Sequence, residues 1–375
     1  MAEASPYAAD ALIPHTVEPH PVTVGDDRMT TVADVRQTPG ETSPPSGVTT
    51  SVGERVLSLT NLDKVLYPAA GYTKAEVIHY YLQIAPVILP HIRDRAMTRL
   101  RYPDGVRFAE RREERGGSTP PPGGAFYEKN APAGTPDWVP RQRIGTSDGV
   151  IDYVVVEEPA TLVWLANLAA LELHTPQWTV SSGTAGADGV IDLPAEEPRP
   201  GEPLADRVVV DLDPGAGMTI VETARAALIV AAEMAADGLV PVPQSSGSKG
   251  IQIYAAVAPC RSRDVWGYVK GLNALMARTY PDFFIAAMSV EQRAGRIYVD
   301  YNQNLAARNT IAPYSMRGRE LPTVATPVTW EEVGAVSGPD DLRFSPEQVL
   351  QRVAEHGDLA ADLLHEDRPP LPPPR

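Results

Sequence analysis

The sequence has 375 residues, of which 43% are hydrophobic, and its formal net charge is −15 at pH 7. A chain of this length can form one large domain or two small ones. No apolar run approaches the roughly 18 residues that span a bilayer, and the N-terminus lacks a secretion signal. The single Cys260 can neither close an internal disulfide nor build a zinc site. We therefore expect a cytoplasmic protein without a membrane partner.

The acidic balance argues against a nucleic-acid partner only when it is averaged over the whole chain. Residues 95–143 carry ten Lys or Arg against six Asp or Glu, and residues 292–319 carry five Arg against one Asp. Solvated surface charge is the ordinary explanation for either stretch alone. Both could also contact phosphate groups, so nucleic acid stays open as a partner, which would make the protein nucleoid-associated.

The first half of the chain gives mixed signals. Residues 1–50 are polar and rich in Pro, Thr and Ser, so we expect a disordered extension, with structure starting near Gly53. Thr73-Lys-Ala-Glu76 has the spacing of a capping box and predicts a helix that ends before Pro90. The other elements expected here are a charged loop over 106–125, an apolar helix over 160–173 and a Gly/Pro-rich linker over 181–205.

The second half predicts an α+β sheet with helices on one face. The apolar run from Val208 is typical of a buried strand, and Thr219-Ile-Val-Glu222 is a second capping box. The further elements expected are a helix to about Ala236, two short strands flanking residues 245–250, a helix over 263–279, strands near 283–290 and 296–300, and a Pro-rich tail over 366–375.

Three aspartates at strand ends form the most informative pattern. Asp211 and Asp213 alternate on one strand and therefore share a face, and Asp300 ends a second apolar strand. Carboxylates held together in an apolar setting repel one another unless cations neutralise them. Hard oxygen ligands favour Mg²⁺ or Mn²⁺, and such pairs of ions serve phosphoryl and nucleotidyl transfer. An isolated D-x-D turn is, however, often only a solvated strand end.

A serine-lysine turn, Ser246-Gly-Ser-Lys-Gly250, lies between the two short strands. Its glycines allow close backbone approach, its hydroxyls can donate to phosphate oxygens, and Lys249 supplies a positive charge. The G-x-x-x-x-G-K-[ST] pattern of a P-loop is absent. Combined with the three aspartates, the turn favours a site with metal ions on one side of a triphosphate and cations on the other.

These motifs belong to a longer ordered series. The series is Asn61-Leu-Asp-Lys-Val-Leu-Tyr-Pro68, Arg101-Tyr-Pro-Asp-Gly105, Phe126-Tyr-Glu-Lys-Asn130, Glu172-Leu-His174, Asp211-Leu-Asp-Pro214, Ser246-Gly-Ser-Lys-Gly250, Val299-Asp-Tyr-Asn-Gln-Asn304, Ala312-Pro-Tyr-Ser315 and Pro322-Thr-Val-Ala-Thr-Pro-Val-Thr-Trp330. Over roughly residues 53–357 it resembles the polymerase domain of bacterial non-homologous end-joining ligase D, a branch of the archaeo-eukaryotic primase superfamily.

The resemblance implies a fold and an activity. The fold would be an α+β primase-type catalytic core, with an antiparallel or mixed sheet and flanking helices, plus an N-terminal α/β subdomain. The DNA-end-binding part would cover about 53–180 and the catalytic part about 206–330. The activity would be template-guided addition of nucleotides, preferentially ribonucleotides, to DNA 3′ ends at gaps or breaks, with two Mn²⁺ or Mg²⁺ ions.

The resemblance also implies partners. They would be DNA with 5′-phosphate ends or gaps, NTP or dNTP, and Ku. The sequence contains no K-x-D-G motif, so we expect ligation to come from a separate ATP-dependent DNA ligase.

The resemblance further implies roles for individual residues. Asp211, Asp213 and Asp300 would be the catalytic metal ligands. Nucleotide-binding positions would be Ser246, Lys249, Gly250, Gln252, Arg293, Gln303, Arg317 and His174. DNA-binding positions would be Asn61, Lys64 and Lys74 for a 5′-phosphate, Arg101, and the aromatic residues Phe126 and Tyr127, which would stack on the template.

Two substitutions depart from the family pattern and keep alternatives open. Gln252 stands where the family motif usually has His, and Leu100 stands where a lysine usually precedes Arg101. Gln can donate a hydrogen bond but cannot serve as an acid. A catalytically weakened DNA-end-binding module of the same fold is therefore the alternative hypothesis. From the D-x-D alone, a metal-dependent glycosyltransferase would be a third one.

Overall fold

The computed structural model describes residues 47–107, 125–194, 198–286 and 290–375. The predicted 1–50 extension and the predicted loop over 106–125 lie mostly outside these ranges. The part of the predicted extension that is described contains a strand from Val48, so structure begins before Gly53. Within the described ranges, no helix is long and apolar enough to cross a membrane.

A seven-stranded sheet dominates the first half of the chain. Its elements in order are β1 (Val48–Val52), β2 (Arg55–Leu59), β3 (Val65–Tyr67), β4 (Tyr72–Thr73), α1 (Lys74–Ile92), β5 (Ala96–Arg101), β6 (Phe126–Glu128), β7 (Arg141–Thr146), β8 (Gly149–Val155), α2 (Pro159–Asn167), β9 (Ala170–Thr175) and β10 (Val190–Asp192). The strand order in this first sheet is β10-β7-β8-β5-β9, with β6 also paired to β5. β1 with β2 and β3 with β4 form separate two-stranded sheets.

The second half builds a six-stranded sheet, the second sheet. Its elements are β11 (Leu204–Pro214), α3 (Ile220–Ala236), β12 (Val242–Ser245), β13 (Ile251–Arg261), α4 (Ser262–Thr279), β14 (Phe284–Ile285), β15 (Ile297–Asp300), β16 (Thr310–Ile311), β17 (Met316–Arg317), β18 (Thr323–Val324), β19 (Thr326–Pro327), α5 (Trp330–Ala335) and α6 (Pro346–His356). Its order is β14-β15-β11-β13-β12-β19, and only the β14–β15 pair is parallel. The α+β fold class is confirmed.

Both predicted capping boxes start helices. Thr73 and Thr219 each accept a hydrogen bond from a first-turn backbone N–H, while Glu76 and Glu222 accept from the cap residues in return. The predicted end of α1 before Pro90 was wrong, since the helix continues to Ile92. Most of α1 is buried and the helix packs on α2, so packing outweighs the hydrogen bond that Pro90 cannot donate.

The apolar segment 160–173 is not one helix. α2 ends at Asn167, and β9 begins at Ala170 after a turn in which Ala169 has a φ of 58°. Periodicity cannot separate a buried helix from a buried strand in a continuous apolar run, which explains the error. The predicted linker over 181–205 likewise contains β10 and the start of β11.

The two halves are joined by the chain segment that follows Asp300. After β15 of the second sheet, the chain crosses over, and β16 pairs with β9 as the last strand of the first sheet. Buried tyrosines reinforce this joint: Tyr80 donates to the Tyr314 carbonyl at 2.8 Å, and Tyr81 donates to the Leu171 carbonyl at 2.7 Å. The candidate site lies where these two sheets meet.

The predicted C-terminal tail packs on the second half of the chain. The Pro369 carbonyl accepts a hydrogen bond from Ala258 N at 2.8 Å. Arg375 forms an ion pair with Asp237 at 2.6 Å and a second with Glu233. Residues 366–375 therefore run along α3 and α4.

Candidate active site

Two neighbouring strands bring the three aspartates together. Asp211 on β11 is directly opposite Asp300 on β15, and Asp213 follows two residues along β11 on the same face. Directly opposed side chains of an antiparallel pair have Cβ atoms about 4.5–5.5 Å apart. The predicted convergence of Asp211, Asp213 and Asp300 on one face is thus built into the strand register.

The electrostatics of this cluster are unfavourable for the carboxylates by themselves. Burial, followed by the charges of Asp213 and Asp300, raises the pKa of Asp211 well above its usual range. Burial and the charge of Asp300 also raise the pKa of Asp213, although Arg293 Nη1 lies 3.2 Å from Asp213 Oδ2. A divalent cation would relieve this repulsion, and carboxylate oxygens are the ligands that Mg²⁺ and Mn²⁺ prefer.

As the side chains stand, they do not enclose a common point. Among the described residues, no group of three or more His, Cys, Asp or Glu side chains is close enough together to hold a metal ion. Asp213 is drawn toward Arg293, and Asp300 accepts hydrogen bonds from Asn302 N and Gln303 Nε2, both at 3.0 Å. The donor types and their charge fit divalent cations, and side-chain rotations would have to complete the ligand set.

The serine-lysine turn lies beside the carboxylates. Ser246 Oγ accepts a hydrogen bond from Gly250 N at 3.1 Å, which closes the turn between β12 and β13. Gly247 has a φ of 70°, and a Cβ there would come within 3.0 Å of the Val324 carbonyl, so only glycine fits. Lys249 Nζ lies 3.5 Å from the carbonyl of Pro214, the residue after Asp213, so its positive charge is beside the cluster.

Two arginines lie between the turn and the cluster. Arg317 Nη1 donates to the Ser246 carbonyl at 3.0 Å. Arg293 pairs with Asp213 and lies 4.0 Å from the centre of the Tyr298 ring. A Cβ on Gly215 would meet the Arg293 carbonyl at 1.7 Å, so the end of β11 and the Arg293 segment touch. The structure therefore brings both predicted arginines to the site.

Glu172 also belongs to the site, although its motif alone predicted no role for it. It is buried, and its carboxylate accepts hydrogen bonds from His174 Nε2 and Gly318 N, both at 2.9 Å, with Arg317 Nε at 3.4 Å. Burial opposes its charge, but Arg317, His174 and Gly318 N outweigh burial and hold the pKa of Glu172 well below its usual range. The spacing Glu172-Leu-His174 on a strand was the available signal, since it places both side chains on one face.

The aromatic pair lies next to His174. Phe126 and Tyr127 on β6 are 42% and 55% exposed, which is unusual for large hydrophobic side chains. The Tyr127 ring packs edge-on against His174 with centroids 6.1 Å apart. Arg101 lies 5.4 Å from the centre of the Phe126 ring and pairs with Glu128 at 2.8 Å. Leu100 is buried beneath them, directly opposite Tyr127 and Glu172 in the two neighbouring strands.

A second group of cations lies near Arg101. Lys74 Nζ donates to the Thr60 carbonyl at 2.6 Å, and Lys64 lies 3.5 Å from Asp104. Burial, then the charges of Lys64 and Arg101, lowers the pKa of Lys74 to about 8. Asn61 adopts a φ of 52° in the turn before Lys64. These residues form a positive cluster that is separate from the carboxylates.

The comparisons with known proteins match this arrangement to one family. The sequence model described as "LigD, primase-polymerase domain" matches residues 73–360. The chain belongs to the LigD primase-polymerase domain family. The Multifunctional non-homologous end joining protein LigD of Mycolicibacterium smegmatis is 40% identical over 311 residues, which is 83% of this chain and 36% of that protein. The Bifunctional non-homologous end joining protein LigD of Bacillus subtilis is 29% identical over 80% of this chain and 43% of its own length.

A solved structure of the family shares the fold. The polymerase domain from Mycobacterium tuberculosis ligase D, in complex with DNA, aligns with a TM-score of 0.70 and 37% identity. The alignment covers 83% of this chain and 98% of that domain. The primase-type fold is therefore confirmed, while the chain spans about two fifths of the length of the curated LigD proteins.

Proposed function

We propose that this chain is a template-directed nucleotidyltransferase that adds ribonucleotides or deoxyribonucleotides to DNA 3′ ends at gaps or double-strand breaks in non-homologous end joining. One observation carries the proposal: Asp211 and Asp300 are directly opposite each other on neighbouring strands, Asp213 lies on the same face two residues along, and the Ser246–Gly250 turn is adjacent to them. Membership of a primase-polymerase family and the likeness to a DNA-bound polymerase domain support it.

Asp211, Asp213 and Asp300 would hold two Mn²⁺ or Mg²⁺ ions. When bound, such ions lower the pKa of an attacking hydroxyl and neutralise charge on a leaving pyrophosphate. The contribution of the chain is a set of oxygen donors whose strand register is fixed. The raised pKa of Asp211 supports this assignment, because repulsion that opposes the charged state is what a bound cation would remove.

The cations around the serine-lysine turn would hold the triphosphate. Lys249 and the hydroxyl of Ser246 would contact phosphate oxygens, and the backbone at Gly250 would approach them closely. Arg293 would exchange its contact with Asp213 for a phosphate oxygen. Arg317 is oriented for the same task by Glu172 on one side and the Ser246 carbonyl on the other.

The side chains nearest the incoming nucleotide would be His174 and Gln303. His174 is held between Glu172 and the Tyr127 ring, so its ring plane is fixed from two directions. Gln303 donates to Asp300, which places its amide at the edge of the carboxylate cluster. Both would orient a nucleotide bound between the turn and the aspartates.

The DNA would contact the half of the chain that carries β5 and β6. The exposed rings of Phe126 and Tyr127 would stack on template bases. The positive cluster of Asn61, Lys64, Lys74 and Arg101 would take a 5′-phosphate at the far side of the gap. Ku and a separate ATP-dependent ligase would be the protein partners in end joining.

The test is gap filling on a DNA duplex that carries a 5′-phosphate, with NTP or dNTP and with Mn²⁺ or Mg²⁺. The wild type should extend the primer, and the double variant Asp211→Ala, Asp213→Ala should not. Asp367→Ala, at an exposed aspartate far along the chain, serves as the matched control and should extend normally. Extension by the double variant at the wild-type rate would refute the proposal.

A DNA-end-binding module with weakened catalysis is the second candidate, because Gln252 cannot act as an acid and no lysine stands at Leu100. Its prediction differs in one respect. The wild type would bind 5′-phosphorylated ends in a gel-shift experiment yet incorporate no nucleotide with either metal at any concentration tested.

A further inference from the structure

A row of polar side chains crosses the second sheet and includes two of the three carboxylates. The strand register places Gln244 opposite Gln252, Gln252 opposite Asp211, and Asp211 opposite Asp300. Opposed residues share a face, so these four side chains lie next to one another in a line across β12, β13, β11 and β15. Gln252 is 6% exposed and Gln244 is 1% exposed, so the two amides are the buried end of the row.

The oxygen of the Gln252 amide is saturated with donors. Gln244 Nε2 and the Tyr254 hydroxyl both lie 3.1 Å from Gln252 Oε1. If the amide were rotated by 180°, its NH₂ group would face those two donors and its oxygen would face the Asp211 carboxylate. Both contacts would then be repulsive. With Gln244 and Tyr254 as its donors, the amide oxygen faces away from β11, and Nε2 is turned toward β11, where Asp211 lies directly opposite Gln252.

A buried hydrogen-bond chain lies behind Gln252. Gln177 Nε2 donates to Thr310 Oγ1 at 2.8 Å. The Tyr254 hydroxyl lies within hydrogen-bond distance of three acceptors: Thr310 Oγ1 at 3.0 Å, Gln252 Oε1 at 3.1 Å and the Ile311 carbonyl at 3.2 Å. All of these side chains are buried. Gln177, Thr310, Tyr254 and Gln252 are therefore connected, and Gln252 lies directly opposite Asp211.

We infer that Gln252 is a positioning residue for Asp211: the buried hydrogen-bond chain fixes its amide so that the N–H group holds one carboxylate oxygen and leaves the other available to a divalent cation. The inference rests on the proposed function, because it assumes that Asp211 is a metal ligand. Gln252 would then orient the metal ligand Asp211 instead of contacting the nucleotide. Partners of this kind commonly change metal affinity by about 10- to 100-fold when they are removed.

The experiment measures Mn²⁺ binding to the intact chain without DNA or nucleotide, from the electron paramagnetic resonance signal of free Mn²⁺. Gln252→Met keeps the length of the side chain but removes the donor, and it should raise the Mn²⁺ dissociation constant about 10-fold or more. Gln252→His restores an N–H donor and should bind Mn²⁺ within about threefold of the wild type. Gln142→Met, at a strand glutamine in β7, is the matched control and should leave Mn²⁺ binding unchanged.

Tyr254→Phe gives an independent test of the chain behind the amide. It leaves Gln252 in place but frees its orientation, so Mn²⁺ binding should weaken by a smaller factor of about 3 to 10. It also keeps the inference testable if Gln252→Met folds poorly, which thermal unfolding of each variant would reveal. Wild-type Mn²⁺ affinity in folded Tyr254→Phe would contradict the role of the chain.

Steady-state kinetics separate positioning from nucleotide contact. If Gln252 positions Asp211, Gln252→Met should raise the Mn²⁺ concentration needed for half-maximal extension and leave the KM for NTP within about twofold. A raised KM for NTP with unchanged Mn²⁺ affinity would overturn the inference and leave the proposed function standing. Absence of Mn²⁺ binding in the wild type would overturn both.

Discussion

Replacing Asp211 by Asn should stabilise the protein while it abolishes nucleotide addition. Burial and the neighbouring charges of Asp213 and Asp300 raise the pKa of Asp211. The pKa of an Asp side chain in the unfolded chain is about 3.9. Because the pKa of Asp211 is higher in the folded state, its contribution to folding stability is fully present below the unfolded pKa and is lost as the pH rises through the folded pKa. At pH 7 the carboxylate therefore weakens the metal-free fold, and an uncharged amide of the same shape should not.

The size of the effect follows from the geometry. Two unit charges about 5 Å apart repel by about 1 to 3 kcal/mol at effective dielectric constants between water and a protein surface. Asp211 is partly exposed, so solvent screens part of this repulsion, and the variant also alters the contact with Gln252. We expect a net gain of about 1–2 kcal/mol, which corresponds to a Tm higher by roughly 2–6 °C.

The assay is thermal unfolding by calorimetry in EDTA at pH 7 and at pH 4, and again with saturating Mn²⁺. The stability difference between Asp211→Asn and wild type should shrink toward pH 4, where the wild-type carboxyl is protonated. Mn²⁺ at about 100 times its Kd should stabilise the wild type by about 2.7 kcal/mol and the variant by less. The exposed substitution Asp367→Asn should change none of these values. A Tm for Asp211→Asn below that of the wild type at pH 7 in EDTA would refute the reasoning.

Three other outcomes are expected. Burial lowers the pKa of Lys74 to about 8, so raising the pH from 7 to 9 should reduce the binding preference for 5′-phosphorylated over 5′-hydroxyl DNA ends by about 3- to 10-fold. Lys74→Arg should retain the preference at pH 9. A wild-type preference that does not change with pH would contradict the phosphate role. Glu172→Gln should lower stability by about 2 kcal/mol and raise the KM for NTP about 10-fold, as checked by unfolding and kinetics, since Arg317 loses its buried counter-charge. Phe126→Ala should weaken binding of a templated end by about 1–3 kcal/mol in fluorescence anisotropy, whereas Val150→Ala, at another exposed apolar side chain, should not.

Local patterns in the sequence were enough to predict the helix starts and the carboxylates. The capping boxes at Thr73 and Thr219 depend on residues three apart, and the shared face of Asp211 and Asp213 depends on strand alternation alone. For residues two or three positions apart, the helix or strand itself determines how the side chains are placed relative to each other. The α2–β9 boundary was missed because nothing in an apolar run marks a change from helix to strand except the turn at Ala169.

The contacts that orient the site residues could not be predicted in the same way. Glu172 reaches Gly318, 146 residues later in the chain, and Gln177 reaches Thr310, 133 residues later. Such pairs form only after two sheets have packed, and neither partner has a distinctive local pattern. The prediction that Gln252 contacts the nucleotide rests on its place in a motif, which does not reveal that the side chain is buried and directly opposite Asp211.

The segment from Asp300 to Arg317 has a mechanical consequence. It leaves β15 in the second sheet, adds β16 to the first sheet, and returns to hold Arg317 against the Ser246 turn. Hinged enzymes open about a few flexible residues between otherwise independent bodies. Here, swinging the two sheets apart would break the β9–β16 pairing and the Glu172–Arg317 contact together. The spacing of the two sheets is therefore fixed by these contacts, and we expect a ligand bound between the carboxylates and the Ser246 turn to be accommodated by side-chain rotation rather than by hinge opening.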